Sequence, residues 1–131
     1  MRTATATALA AAAALAGCGG EPGELLAITT SGGGEPTQRL VVEGDARGSC
    51  DGGPERTLPS QVVLDAREVE RELADAARDR RSYATGAPKD ARRYTLATKD
   101  GIVHWVEGAR GAPPAVAKGV LLRQNLKRDL C

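Results

Sequence analysis

Two short apolar, β-branched runs open the pattern of the chain. "LLAITTS" (25–31) and "TQRLVVEG" (37–44) each have the composition of a strand, and "GGGEP" (32–36) interrupts them. Glycine runs between strand-like segments mark hairpin loops, so the pattern predicts a hairpin closed by a five-residue glycine loop. Side chains alternate across a strand. Leu26 and Ile28 therefore share one face, and Leu40 and Val42 share one face of the partner. "DARGSCDGGPER" (45–56) reads as loop by composition, and "SQVVL" (60–64) predicts a short third strand behind Pro59.

The rhythm then changes to that of a helix. Ala66, Val69, Leu73, Ala76 and Ala77 recur on one face at helical spacing. Asp65 with Glu68 three residues later has the form of a capping box, which puts the helix start at Asp65. On the other face Glu68 with Arg71, and Arg71 with Asp75, stand at ion-pairing spacings. "RDRR" (78–81) brings positive charge to the end where the helix dipole favours it, and "TGAPKD" (85–90) terminates the segment.

"ARRYTLATKDGIVHWVEG" (91–108) predicts a second hairpin. With Asp100-Gly101 as a two-residue type I′ turn, Lys99 pairs with Ile102, Thr98 with Val103, Leu96 with Trp105 and Tyr94 with Glu107. Tyr94, Leu96, Val103 and Trp105 then face the core, while Arg93, Thr95, Lys99 and His104 face solvent. "APPAVAKGVLLRQNLKRDLC" closes the chain as a helix with proline in its first turn. Its stripe is Ala115, Gly119, Leu122, Leu126 and Leu130. Glycine inside a helix costs about 1 kcal/mol against alanine, so Gly119 is expected where the helix comes close to the sheet. The order is β-β-(β)-α-β-β-α. It predicts an α+β fold in which an antiparallel sheet of two hairpins, with a short extra strand, carries both helices on one face.

The start of the chain has a different character. "TATATALAAAAALAG" follows Arg2 with no acidic residue and is too short to span a bilayer, which needs about 20 apolar residues. A basic start, a short apolar stretch and small residues before a cut site describe a secretory leader. Leu15-Ala16-Gly17-Cys18 matches the bacterial lipobox. That resemblance implies a diacylglycerol thioether on Cys18, cleavage before it and acylation of the new amine. The expected division is a leader over 1–17, a lipidated cysteine with a polar tether over 18–24, and one small domain over 25–131. Two or three acyl chains hold a protein firmly at a membrane, at about 0.8 kcal/mol per buried methylene. The expected location is therefore extracytoplasmic and lipid-anchored to the bacterial membrane.

With Cys18 assigned to the anchor, Cys50 and Cys131 remain of the 3 cysteines. A pair in an exported domain predicts a disulfide. The bond would tie down a terminus that otherwise frays and close a loop worth about 4–5 kcal/mol in the chain-entropy account. The 18 Lys and Arg residues stand against 17 Asp and Glu, and loss of Arg2 with the leader brings them into balance. A neutral domain has no electrostatic drive toward nucleic acid. Aromatic residues make up only 2% of the chain, with no Phe, so stacking platforms for bases or sugars are not expected.

Catalytic chemistry is not prefigured either. The single histidine, His104, shares its face with Lys99 and Arg93 rather than with partners for proton transfer. Ser31, Ser49, Ser60 and Ser82 lie in no nucleophile-elbow motif, and "DARGSCDGG" lacks the ligand spacing of an EF-hand. The sequence therefore predicts a monomeric protein without enzymatic activity, metal or cofactor, acting on a protein partner.

The "SGGG" turn, the charged helix "REVERELADAARD" and the ending "DARRYTL…DG…VEG…PP…LL" resemble the emfourin family, the protealysin-inhibitor-like proteins. The resemblance covers roughly residues 25–127. It implies a small α+β domain that inhibits thermolysin-type zinc metallopeptidases. It also implies a contact surface on the N-terminal strand and loop, over Thr30, Ser31, Gly32, Gly33, Gly34 and Glu35. Family members commonly carry an aromatic after the paired glycines, where this chain has Gly34 and Glu35. The segment 45–64 and the terminal cysteine are also unlike the plain inhibitor. The alternative expectation is a structural or accessory envelope lipoprotein.

Overall fold

The computed structural model of the protein describes residues 23–131. The leader, Cys18 and most of the predicted tether therefore lie outside the described residues. Seven strands form one sheet: β1 (Glu24–Gly32), β2 (Glu35–Glu43), β3 (Arg47–Cys50), β4 (Arg56–Thr57), β5 (Ser82–Tyr83), β6 (Arg93–Thr98) and β7 (Gly101–Val106). Helices α1 (Ser60–Arg78) and α2 (Pro114–Leu130) complete the chain. The strand order is β4-β3-β2-β1-β6-β7-β5, antiparallel except for the β5–β7 pair. The fold is α+β as predicted, with β3 and β4 added before α1 and β5 after it.

One apolar layer joins the sheet to both helices. Leu26 and Ile28 from β1, Leu40 and Val42 from β2, Leu96 from β6 and Val103 from β7 are buried together. The pairs Leu26–Val42 and Ile28–Leu40 lie directly across from each other, so the faces assigned to the first hairpin hold. Helix α1 lies over β7, β1 and β6, while α2 lies over β2 and β3. In α2 the stripe Ala115, Gly119, Leu122, Leu126 and Leu130 is buried. A Cβ on Gly119 would stand 2.6 Å from Leu96 Cδ2, so the close approach expected there is present.

Four local expectations change. The five-residue loop at 32–36 is a two-residue turn: Gly32 pairs with Glu35, and Gly33 and Gly34 have φ of 66° and 77°. Those positive angles let the strands' own twist close the hairpin, so the pairing extends into the glycine run. The 45–56 loop contains β3 and β4. Gly48, which reads as a turn residue, is a packing residue under the side chains of Leu130 and Leu58.

"SQVVL" is the opening of α1 rather than a strand. Val62, Val63, Ala66, Val69, Leu73 and Ala77 make one buried helical stripe, and burying Val62 and Val63 outweighs their β-branched preference. The helix accordingly starts behind Pro59, without a side-chain cap, and Asp65 accepts a hydrogen bond from Gln61 instead of capping.

The second hairpin turns on Lys99 and Asp100. Thr98 pairs with Gly101, Leu96 with Val103 and Tyr94 with Trp105. This register is two residues from the predicted one, so every side chain keeps its face. The cause is Gly101. It has φ of 146° and sits where any Cβ would overlap the Ala77 carbonyl at the end of α1. It is therefore drawn into the ladder beneath the helix and out of the turn.

Candidate functional site

The residues singled out for contact lie at the end of the first hairpin, beside the start of β6. Ser31 pairs with Arg93 and Thr30 with Tyr94. Strand alternation puts Thr30 on the helix side, where it is 3% exposed and cannot touch a partner. Ser31 is half-buried, and Gly32, Gly33, Gly34 and Glu35 are exposed. The available tip is thus Ser31 to Glu35.

This tip is braced. Glu35 forms a 2.9 Å ion pair with Arg92, whose guanidinium is held above its ordinary pKa first by the Tyr94 side chain and then by Glu35 and Glu107. A Cβ on Gly33 would press on Arg92 at 3.3 Å, and one on Gly32 on the Ala91 carbonyl at 3.3 Å. Gly34 alone of the three faces open space. The backbone of the tip is therefore fixed on one side and bare on the other, which lets a second chain approach it closely.

Behind the tip, β2 runs under α2. Cys50 and Cys131 form a disulfide with Cα atoms 5.7 Å apart, as the pairing of the two remaining cysteines predicted. The bond joins β3 to the end of α2. Gln38 lies beside it, with Nε2 at 3.6 Å from Cys131 Sγ and Oε1 accepting a 3.2 Å hydrogen bond from Arg123 Nη2. Arg123 is 5% exposed, and its guanidinium carbon lies 5.9 Å from the centre of the Tyr94 ring. Its Nε has no hydrogen-bond partner among the described residues. Arg123 and Lys127 line a cleft of about 260 Å³ that opens beside Glu35 and Pro36 of the tip.

Nothing in the residues adjacent to Arg123 in the sequence singles it out. Its signal is positional: Val116, Gly119, Arg123, Leu126 and Leu130 follow one another at spacings of three and four, all buried. A charge inside such a stripe is a buried charge.

A second groove, of about 560 Å³, runs between Trp105, Pro113, Val116 and Leu121 and is almost wholly apolar. The Trp105 ring lies 5.1 Å from that of Tyr94, tilted at 45° to it. His104 is exposed on the opposite face, with Nδ1 3.2 Å from Thr95 Oγ1. Among the described residues no three His, Cys, Asp or Glu side chains are grouped to hold a metal ion. No described helix is long and apolar enough to cross a membrane. No protein-family model, curated protein or solved structure matches the chain.

Proposed function

We propose that this chain is a lipid-anchored, extracytoplasmic lipoprotein whose domain binds another protein through the tip of its first hairpin. Inhibition of a thermolysin-type metallopeptidase is the leading case. The observation that carries the binding reading is the braced glycine tip, with Glu35 held by Arg92 and Gly34 bare. A pre-ordered tip loses little entropy on entering a cleft, which suits an inhibitor of substrate-sized grooves. The lipobox ending at Cys18 supports the anchor. A disulfide between Cys50 and Cys131 fits an oxidising compartment.

The second reading, an accessory envelope lipoprotein, is favoured by Leu121, which is 62% exposed beside the apolar groove. The deciding experiment titrates the oxidised protein, with Cys18→Ala to keep it soluble, against a thermolysin-type peptidase. Stoichiometric inhibition that is lost in Gly34→Asn supports the tip. Absence of inhibition by folded protein at micromolar concentration removes the inhibitor and leaves the accessory role. Cys18→Ala in the producing cell is expected to abolish fatty-acid labelling, and persistent labelling would end the lipoprotein reading.

A further inference from the structure

Arg123 is the most buried cation among the described residues and is left without a counter-charge. Other arginines are paired: Arg39 with Glu24 at 2.9 Å, Arg47 with Glu55 at 3.1 Å and Arg92 with Glu35 at 2.9 Å. Arg123 has one neutral hydrogen bond, from Nη2 to Gln38, and an unpartnered Nε–H. Removing an ion from water is costly unless charge and hydrogen bonds are both returned to it. The face of the Tyr94 ring returns only part of that.

The surroundings of Arg123 are arranged around an open space. Lys127, one helical turn further along α2, lines the same cleft, and its ammonium has no partner among the described residues. Two carboxylates stand in the wall, and both are engaged elsewhere. Glu35 is held by Arg92, and Asp51 Oδ1 accepts the Arg39 backbone N–H at 2.7 Å. The cleft thus offers two cations to an incoming anion, and two fixed carboxylates limit how much negative charge it accepts.

We propose that this cleft is a carboxylate-binding subsite, which takes an acidic side chain or a free chain end of the protein partner. Nε is itself closed to solvent, so the carboxylate meets Nη2 first and completes across the Nε–Nη2 edge the two-bond geometry arginine favours only as Gln38 moves aside. Gln38 Oε1 occupies part of that edge as a neutral stand-in and is displaced when the carboxylate enters. A phosphate dianion meets Glu35 and Asp51 and is disfavoured. The volume of about 260 Å³ is smaller than the roughly 300–1,000 Å³ of cavities that enclose whole small molecules, so the cleft takes one group of a larger partner. Its place beside Glu35 and Pro36 puts that group next to the tip. The partner half of this inference rests on the tip-binding reading, and the carboxylate half does not.

The test is a nitrogen-15 NMR titration of the full chain at fixed ionic strength, with N-acetylglutamate α-amide as side-chain probe and N-acetylglycine as chain-end probe. Sodium chloride and inorganic phosphate are the controls. A saturable shift of the Arg123 Nε–H and Gln38 side-chain amide signals is expected with one or both carboxylates and not with chloride. Lys127→Gln, at an exposed position, is expected to weaken binding about fivefold, the size of one solvated ion pair. Arg123→Lys, which keeps the charge and loses the edge, is expected to abolish the shift of the Gln38 side-chain amide. If that variant does not fold, the Lys127→Gln result stands alone. No saturable shift at about 100 mM probe, a hundredfold above a millimolar constant, overturns the proposal, as does phosphate binding more tightly than either carboxylate. Bound carboxylates together with a peptidase indifferent to Gly34→Asn would leave the cleft and remove the tip. Inhibition without any shift at Arg123 would do the reverse.

Discussion

The two hairpins of the sheet point in opposite directions, and their glycines do opposite work. In the first, Gly33 and Gly34 form the turn itself, and Gly34 faces open space. In the second, the turn is made by Lys99 and Asp100, and Gly101 is buried under the last turn of α1 against the Ala77 carbonyl. The two helices are also attached differently. Helix α2 lies over β2 and β3 of the first hairpin and is joined to β3 by the disulfide, whereas α1 lies over β7 and β6 of the second hairpin and over β1, and has no covalent link to the sheet. A glycine at a hairpin tip therefore has no single meaning. One of these bares backbone for contact, and the other removes a side chain so that a helix can settle.

The largest expected effect breaks the covalent half. Replacing Cys50 and Cys131 together by Ser opens a loop spanning 81 positions and should cost about 4–5 kcal/mol, read as a lower denaturant midpoint. A midpoint that does not move would mean that α2, like α1, is held without a covalent link. The contrast between the halves would then disappear.

Next comes the buried glycine. Gly101→Ala adds a methyl group that overlaps the Ala77 carbonyl, at a φ of 146° that L residues rarely adopt. Overpacking and backbone strain each cost about 1–3 kcal/mol, so a loss of about 3 kcal/mol or more is expected in chemical unfolding. A loss below about 0.5 kcal/mol would return Gly101 to the turn and restore the register read from Asp100-Gly101.

That register shows where the sequence is legible and where it is not. Faces follow from alternation alone, so Leu26, Ile28, Tyr94, Leu96 and Val103 could be assigned to the core without knowing what lay opposite them. Pairing across the second hairpin could not, because it depends on the distant carbonyl of Ala77. The same limit hides β3. Gly48 looks like loop punctuation until Leu58 and Leu130 arrive above it from far along the chain. Strands β4 and β5 have two residues each, too short for any periodic signal. At the candidate site, the exposed tip was visible as a glycine run and the disulfide as a cysteine pair. Arg123 required the burial of α2 to be traced through a charged position.

The exposed glycine is expected to behave in the opposite way to Gly101. Gly34→Asn places a residue that tolerates positive φ into open space, so stability should stay within about 0.5 kcal/mol of the parent. Any peptidase inhibition should fall at the same time, since the bare side of the tip is now covered. A stability loss comparable to that of Gly101→Ala would show that the two tips are packed alike, and the functional contrast between them would fail.

The smallest effect concerns what joins the two helices. Lys118 of α2 reaches Glu68 at 2.8 Å and Glu72 at 2.9 Å on α1, a brace between the two helices. Lys118 is held above its usual pKa of 10.5, first by hydrogen bonding to Glu68 and then to Glu72, and Glu68 is held below 4.5, first by Lys118. The signs set two windows. The depressed Glu68 contributes above its unfolded value of 4.5 and is lost as pH falls through its lower folded value. The raised Lys118 contributes below 10.5 and is lost as pH rises through its higher folded value. Because all three side chains meet water, where ion pairs are screened, the contribution is small. It is best seen as a difference: the melting temperatures of the parent and of Lys118→Gln should be separated near neutral pH and converge in acid below 4.5. Amide exchange should then quicken on the facing sides of α1 and α2 while the residues around Gly101 and the disulfide stay protected. Convergence without that localised exchange would mean that acid acts on the whole domain, and the helices would not be joined at Lys118.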